Sequence, residues 1–565
     1  MKYLIRIILT MAVILTIGSC TENFEELNTD PNNPVDVPAI NIFTNTIQRS
    51  IDRQGGGWIQ HTYLGVWCQQ WCKVQYIDED RYQPREMSGD FDGPYIGELA
   101  DLYLIIEKTT EEGDDLLRGA ALVLRSWIYM HLTDMFGDIP YTEALQGFET
   151  DGTITPVYDT QESVYMGLLA DLETANQLLA TSTVNFGSGD ILYGGDPVAW
   201  RKFANSLKLR ILNRCAGTPW SFTYDMVDPQ TDVTTSAGAA AYASADADIA
   251  TILGNPTQYP IFTSNGDDAA LVYPGVAPYR NPIFETLLAR TDQAISHTMV
   301  DWLMQRNDPR IHVYAQPVPN SYDEVAGDYS GLTYYGFQNG RGITAANFPS
   351  ISLLGVEIAY KEANPIYVLT YDELEFIIAE HYLRQGQDGL ARQHYEDGIA
   401  ASMARWGCTD GGTVSAQAHI GTENKTLPVT QNVDYATYLA DPLVSWTAAP
   451  DDAHKFQLIC EQRWAAIFGQ GVQAWHEVRR TGFPTRIFEF ELEGAYYPNM
   501  GMPVRLQYSL NEETYNAENV TAAKTRQNVE LSNEGLFSTN GIQSQMWWNT
   551  RKNPIPTEID IPAGQ

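Results

Sequence analysis

The chain has 565 residues, of which 44% are apolar, and a formal net charge of −36 at neutral pH. That apolar content is sufficient for a large hydrophobic core. A surface this acidic repels nucleic-acid backbones and anionic lipid headgroups, which excludes nucleic acid as an expected partner. The charge does not distinguish among neutral ligands.

The first predicted element is a lipoprotein signal peptide over residues 1–19. Lys2 and Arg6 give it a positive start, and residues 7–17 form an apolar run that is too short to span a bilayer. The tetrapeptide IGSC that follows resembles a bacterial lipobox, which implies cleavage before Cys20 and acylation of its thiol. An ordinary secretory signal with an incidental cysteine is the alternative interpretation.

Residues 20–36 predict a flexible tether that starts at the lipidated cysteine. Pro31 and Pro34 cannot continue a helix, and the residues around them are mainly polar. No later apolar run reaches the eighteen residues of a membrane-spanning helix. We expect residues 37–565 to form a single domain.

Several later segments repeat apolar residues with helical spacing. In chain order, these predicted helices cover 98–108, 114–135, 160–180, 198–214, 371–405 and 452–480. The segments rich in Gly, Pro, Asn, Thr and Tyr predict loops over 217–235, 254–282, 313–350 and 406–450. Strand-like stretches are few and short, so the predicted class is mainly α. Helical hairpins are expected roughly over 98–214 and 371–480, packed against a loop-rich lobe roughly over 215–350 and 406–450.

One helical pair has a more specific pattern of small and aromatic residues. Ala379, Tyr382, Ala391, Tyr395 and Gly398 have the offsets of a tetratricopeptide (TPR) repeat. In such repeats, small residues let two antiparallel helices approach closely while aromatic rings fill the groove. A generic helical hairpin is the alternative.

The sequence contains none of the common catalytic motifs. It has no G-x-S-x-G elbow and no phosphate-binding loop, and HEVRR (476–480) has an arginine where a zinc-binding helix needs its second histidine. The nine histidines show no ligand spacing, so we expect no catalytic residue, metal or cofactor. Structural Ca²⁺ at Asp78-Glu79-Asp80 or Asp267-Asp268 matches no motif, and solvated acidic loops are the alternative.

Five cysteines follow Cys20, and an odd number means that at least one stays unpaired. Cys68 and Cys72 are four residues apart, a spacing that would place them on one helix face. Without further ligands at suitable spacing, we expect buried small hydrophobes rather than a metal site.

Several motifs together resemble the SusD/RagB family of nutrient-binding outer-membrane lipoproteins. The resemblance rests on the lipobox with NFEELNTDPNNP, then LTDMFGDIPYTEAL, YGGDPVAWRKFANSLKLRI, NDPRI, YDELEFIIAEHYL, QRWAAIFGQGVQAWHEVRRTGFP and MWWNTRKNPIP. They occur in family order from residue 20 to about 556, over nearly the whole mature chain. Together they are specific, although each alone would be weak.

The resemblance implies about four TPR-like hairpins behind a variable lobe with few short strands. It also implies a lipid anchor at the outer membrane, facing the cell exterior, and a SusC-type TonB-dependent transporter as partner. The expected function is capture of oligosaccharides, or of peptides in a RagB-like member, and their delivery without chemical change. A surface glycoside hydrolase and a TPR adaptor for protein partners are the rival hypotheses.

The candidate ligand residues are aromatic or hydrogen-bonding side chains in the early region and the middle loops: Trp67, Trp71, Tyr76, Tyr82, Tyr279, Arg280, Tyr334, Tyr335 and Phe337. A flat ring can stack on a sugar face while a polar neighbour binds hydroxyl groups. Packing or a contact with the transporter is the alternative for each. The sequence leaves the identity of the ligand, a Ca²⁺ site and the disulfide state open.

Overall fold

The structure is a computed structural model, and it describes residues 37–56, 58–149, 151–217, 241–485, 487, 502–527 and 546–547. The predicted signal peptide, Cys20 and the tether lie outside the described residues. So do residues 218–240 of the predicted loops and most of the MWWNTRKNPIP motif.

The described chain is mainly α-helical. The first-half helices are α1 (Ala39–Gln54), α2 (Gly65–Trp67), α3 (Ser88–Pro94), α4 (Ala100–Glu112), α5 (Asp115–Phe136), α6 (Gln161–Leu179), α7 (Pro197–Cys215) and α8 (Ala245–Gly254). The later helices are α9 (Pro282–Ala289), α10 (His297–Gln305), α11 (Ile311–Tyr314), α12 (Val356–Ala359), α13 (Tyr371–Arg384), α14 (Asp388–Arg405), α15 (Tyr435–Ala440), α16 (Asp452–Ala466), α17 (Gly471–Thr481), α18 (Leu510–Tyr515) and α19 (Ala517–Arg526). None of the helices in this described part combines the length and the apolarity that a membrane span requires.

Short π- and 3₁₀-helical turns connect these elements. The π-helical turns are Ile59–Leu64 and Tyr95–Leu99, and the 3₁₀ turns are Glu79–Arg81, Gln146–Phe148, Asn265–Asp267, Pro319–Ser321 and Ala345–Ser350.

The strands form small antiparallel pairs. They are β1 (Trp71–Lys73), β2 (Ala269–Leu271), β3 (Gln293–Ile295), β4 (Ile366–Leu369), β5 (Thr413–Ile420) and β6 (Glu423–Asn432). Strand β1 pairs with β3, β2 with β4, and β5 with β6. The β5–β6 hairpin lies inside a segment that the sequence predicts as loop, because its many polar residues hide the alternation of buried Val414, Ala416 and Ala418.

The predicted helices are confirmed, and their ends follow local sequence signals. Helix α5 starts after Asp114, whose carboxylate accepts from the backbone N–H of Leu117 at 3.1 Å. Helix α7 starts after Asp196, with Pro197 at its first position. The predicted helix 452–480 is divided after Ala466, and α17 starts at Gly471.

The hairpin of α13 and α14 packs as its small residues predict. Ala379, Ala391 and Tyr395 are fully buried, and a Cβ built on Gly398 would lie 3.0 Å from the Phe376 ring. A side chain at this position would require the Phe376 ring to shift, so this glycine favours the close approach of the two helices. Helix α13 also packs against α16 and α7, while α5 packs against α4 and α6.

Buried charges connect four of these helices. This group, the charged seam, consists of Arg210 and Arg214 of α7, Glu373 and Glu380 of α13, Arg463 of α16, and Glu477 and Arg480 of α17. Arg463 joins Glu373 at 2.8 Å to Glu477 at 2.9 Å, and Arg480 joins Glu477 at 2.8 Å to Glu380 at 2.7 Å. Arg210 also binds Glu373, and Arg214 binds Asp134 of α5. The seam therefore connects α7, α13, α16 and α17 through ion pairs that water does not reach.

The five cysteines of the described chain, Cys68, Cys72, Cys215, Cys408 and Cys460, are buried and form no disulfide among themselves. Cys68 ends α2 whereas Cys72 lies in strand β1, so the expectation of a shared helix face is wrong. The chain turns into a strand between them because Gln69 adopts a positive φ of 51°. Burial raises the pKa of the Cys68, Cys215 and Cys408 thiols to about 12.

Candidate functional site

The candidate site is a cavity of about 500 Å³ between helical and strand elements. Its walls come from the start of α9, strand β4, the end of α14, the β5–β6 hairpin and the turn between α16 and α17. Pockets of this size accommodate small organic ligands. The lining residues lie in helices and strands or directly at their ends, so the packed scaffold positions their side chains.

One wall of the cavity is polar. Thr413, Ser415 and Gln417 occupy alternate positions of β5 and line the cavity together with Thr426, which lies opposite Gln417 in β6. Side chains at alternate positions point to the same face of a strand. Hydroxyl and amide groups therefore face the cavity in a row.

The other wall is aromatic. The Tyr367 and Trp406 rings are half-buried and meet edge to face at 6.1 Å, and Trp406 also packs on Tyr314 at 5.3 Å. Among the described residues, nothing accepts a hydrogen bond from the buried indole nitrogen of Trp406. A cavity lined by both aromatic rings and polar groups suits a ligand that has apolar faces and hydroxyl edges.

The charge at this site is neutralised by the protein itself. The Arg405 guanidinium lies over the Tyr367 ring at 4.9 Å and the Trp406 ring at 5.5 Å, and it binds Asp372. Burial lowers the pKa of Arg405, but Asp372 and Asp268 outweigh that effect and raise it. The Arg405 charge is thereby paired within the scaffold.

Among the described residues that line this cavity, Glu357 is the single carboxylate. Its Oε2 accepts from Lys361 Nζ at 2.6 Å. With one paired carboxylate and one paired guanidinium, the cavity favours an uncharged ligand over an ionic one.

The predicted residues Tyr279 and Arg280 do not line this cavity, although they directly precede a residue that does. The next residue, Asn281, lines it, caps α9 by accepting from Ile283 N at 2.8 Å, and donates to the Asn364 carbonyl at 3.0 Å. Arg280 pairs with Glu285 at 3.2 Å, and the Tyr279 ring is 50% exposed.

Five other predicted residues lie in the core rather than on a surface: Trp67, Trp71, Tyr82, Tyr334 and Phe337. The Trp67 indole donates to the Glu79 carbonyl at 3.0 Å, and the Tyr334 hydroxyl bonds His312 at 2.7 Å. Trp71 stacks on His61 at 5.3 Å. Their expected position on a surface is thus corrected, because all five side chains are buried, which favours packing, the alternative interpretation for each. A role for any of them in ligand binding stays a prediction.

The two predicted regions from which these rings come do meet. Strands β1 and β3 pair, Ser296 bridges to Phe337, and Ile343 N donates to the Val74 carbonyl at 3.0 Å. We call residues 71–82, which include β1, together with β3 and residues 335–343 the strand lobe. In it, Tyr335 is half-buried, with its ring edge-on to His297 at 5.9 Å.

Tyr76 is the most exposed predicted ring, at 65%, and the Arg290 guanidinium lies over it at 4.3 Å. Arg290 directly follows α9, whose eight residues span about 12 Å. Tyr76 and Tyr279 therefore mark the two ends of this helix, and the exposed candidates form two groups rather than one.

The acidic loops considered for Ca²⁺ are engaged by protein donors. Asp80 accepts from Gly340 N at 2.9 Å and Asn339 Nδ2 at 2.6 Å, and Glu79 pairs with Arg85. Asp267 pairs with Lys202 at 2.7 Å. A Ca²⁺ site there stays a prediction.

The sequence interpretation missed the cavity residues Tyr367, Trp406, Ser415 and Gln417. Trp406 ends a helix and was grouped with the loop that follows it, while β5 lies in a segment predicted as loop. The alternation of Thr413, Ser415 and Gln417 was the available signal, since polar residues at every second position indicate one strand face.

Comparison with protein families places most of the chain in one group. A SusD-like family model, described as starch-binding and associating with the outer membrane, matches residues 31–509. Comparison with curated proteins gave no match.

Solved structures share the fold. A SusD homologue from Bacteroides fragilis is 22% identical and covers 92% of this chain and 100% of its own, with a TM-score of 0.68. A second homologue from the same species is 21% identical, with a TM-score of 0.69 and coverage of 91% and 100%. A chitin-binding SusD homologue from Flavobacterium johnsoniae is 22% identical, with a TM-score of 0.66 and coverage of 91% and 99%.

Proposed function

The chain belongs to the SusD-like family, described as starch-binding and associating with the outer membrane, and on that premise we propose that it captures neutral oligosaccharides without changing them chemically. The observation that carries this proposal is the cavity that Tyr367 and Trp406 line together with the polar row of β5. A sugar ring has apolar faces that stack on aromatic rings and hydroxyl groups that bind amide and hydroxyl side chains.

The composition of this cavity favours binding over hydrolysis. A glycoside hydrolase of the common type needs two carboxyl groups on either side of the scissile bond. Among the described lining residues, Glu357 is the single one with a carboxyl group, and that group is paired with Lys361. We therefore prefer a binding protein to the surface hydrolase.

We further propose that Cys20 carries the lipid anchor and that captured sugar passes to a SusC-type TonB-dependent transporter. The lipobox-like IGSC and the polar tether support an anchor that holds the domain outside the cell. The family's association with the outer membrane supports the same location. Labelled palmitate should appear in the mature wild-type protein and be absent from Cys20→Ala, and a transporter should co-purify with the wild type. Unlabelled wild-type protein would contradict the anchor.

The experiment for the ligand is calorimetry of the full chain against starch-derived and chitin-derived oligosaccharides, with short peptides as a separate arm. We expect saturable binding of a neutral glycan and at least tenfold weaker binding by Trp406→Ala. Tyr515→Ala is the matched control, because this ring on α18 is 76% exposed and does not line the cavity.

Three outcomes would contradict the proposal in different ways. Binding of peptides alone would assign the chain to the peptide-capturing alternative. New reducing ends after incubation with polysaccharide would make it a hydrolase. Equal affinity of Trp406→Ala and wild type would move the site away from this cavity, and Tyr76→Ala would then test the other end of α9.

A further inference from the structure

A cluster of metal-ligand side chains lies on the α13–α14 hairpin, apart from the cavity. Glu375 of α13 faces His394 and Asp397 of α14, and one potential ligand atom of each lies within 4.8 Å of the others. His394 and Asp397 are three residues apart, a spacing that places them on one helix face. We propose that these three side chains bind a divalent transition-metal ion, with Zn²⁺ as the representative.

The geometry is close to that of a metal site. The hydrogen bond between His394 Nδ1 and Glu375 Oε2 measures 2.5 Å. Zinc binds imidazole nitrogen and carboxylate oxygen at about 2.0–2.2 Å, so two of its ligand atoms lie about 3.3 Å apart. The imidazole and the Glu375 carboxylate need to separate by less than about 1 Å to admit the ion in place of the shared proton.

The donor set selects the class of ion. One imidazole and two carboxylates suit Zn²⁺ or a neighbouring first-row ion, whereas Ca²⁺ and Mg²⁺ prefer oxygen ligands alone. Asp397 is exposed, so water can complete the coordination. Two carboxylates also balance the charge of a divalent ion.

The surroundings leave this negative charge without a strong counter-charge. The described part of the chain places no Lys or Arg within ion-pair distance of Glu375 or Asp397. The Glu375 side chain is 7% exposed, and the exposed Asp397 carboxylate lies close to it. A divalent ion would relieve the repulsion between these two carboxylates.

The imidazole is also held in position. The Tyr382 ring stacks on His394 at 5.4 Å with an interplanar angle of 21°. A positioned ligand loses little freedom when it binds a metal. Because the ligands come from both helices, a bound ion would connect α13 to α14 and stabilise the folded state.

The test is calorimetric titration of ZnCl₂ into the chelator-treated full chain, with thermal unfolding measured at each metal concentration. We expect one saturable site in the wild type, a higher Tm with Zn²⁺, and no response to MgCl₂. His394→Ala should abolish the site, and Asp397→Asn, at an exposed position, should weaken it at least tenfold.

His454→Ala is the matched control. His454 Nδ1 bonds Asp451 at 2.7 Å, but this pair belongs to no cluster of three ligands in the described chain. The control should bind Zn²⁺ as the wild type does. Absence of saturable binding by the wild type up to 1 mM Zn²⁺, or equal affinity in Asp397→Asn and wild type, would overturn the proposal.

Discussion

Two buried carboxylates, Glu477 in the charged seam and Asp80 in the strand lobe, are held in opposite ways. Glu477 accepts from Arg463 at 2.9 Å and Arg480 at 2.8 Å. Asp80 accepts from the neutral groups Gly340 N, Lys73 N at 3.1 Å and Asn339 Nδ2. Both side chains are almost inaccessible to water.

This difference sets their protonation in opposite directions. Burial raises the pKa of Glu477, but Arg463, Arg480 and Arg214 outweigh it and lower the pKa to about 2. Burial also raises the pKa of Asp80, and its amide donors, together with a smaller contribution from the Lys73 charge, compensate only in part, which leaves it at about 7. Directly bonded charges of opposite sign can keep a buried carboxylate ionised, whereas hydrogen bonds that come mainly from amides do so incompletely.

The largest expected effect follows from breaking the seam at Glu477. Glu477→Ala leaves Arg463 and Arg480 with less compensation inside the protein, which costs about 3–5 kcal/mol of unfolding free energy. Urea unfolding followed by circular dichroism measures the loss. Glu396→Ala is the control, because its pair with the exposed Arg392 is a surface i, i+4 contact worth about 0.3–0.5 kcal/mol. Equal losses of unfolding free energy in the two variants would contradict the distinction between buried and surface ion pairs.

The charged seam should lose stability in acid. Because the folded pKa of Glu477 is about 2 and its ordinary value is 4.5, its contribution is present above pH 4.5 and is lost as the pH falls towards 2. The expected loss is about 3 kcal/mol for this group. Unfolding free energies measured between pH 6 and pH 2.5 test it, and a Glu477→Gln curve that falls as steeply as wild type would argue against this assignment.

The strand lobe should respond to pH with the opposite sign. Since the folded pKa of Asp80 is about 7 and its ordinary value is 3.8, its contribution is present below pH 3.8 and is lost as the pH rises towards 7. Between pH 5.5 and 7 the lobe should lose up to about 2 kcal/mol of local stability.

Hydrogen exchange at the Gly340 amide, corrected for the intrinsic rate, measures this loss, because that amide donates to Asp80. Asp80→Asn carries no titratable group at this position and should show a flat profile. A wild-type exchange rate at Gly340 that does not change with pH after this correction would contradict the expected difference between the strand lobe and the charged seam.

The smallest effect is expected at the lobe surface. Tyr76→Ala removes an exposed cation–π contact with Arg290, worth about 0.5–1 kcal/mol. Thermal unfolding should change little, whereas glycan affinity should fall if the ligand extends along α9. A loss above about 2 kcal/mol would show that this ring is part of the packing.

The helical scaffold was predictable from local patterns. Asp196 and Pro197 start α7, and the small residues Ala379, Ala391 and Gly398 indicate the close pair of α13 and α14. Such signals act over a few residues, so the sequence carries them directly. The motif resemblance then gave the family.

The seam and the cavity were not predictable in the same way. Arg463 and Glu477 look like ordinary surface charges of amphipathic helices, and only the packing of four helices buries them. Likewise, Trp67 and Trp406 are equally aromatic in sequence, but one ring is 1% exposed and the other is half-buried beside a cavity. Exposure of a ring depends on contacts between residues far apart in the chain.

The five unpaired cysteines have a consequence for how this protein is made. Native packing shields each thiol, so the folded molecule resists oxidants. An extended chain in transit to the cell envelope lacks that shield, and any two of its sulfur atoms can be joined into a wrong crosslink. Oxidation of the unfolded chain therefore competes with folding. We expect a smaller fraction of the protein to refold after denaturation in air than after denaturation in a reductant.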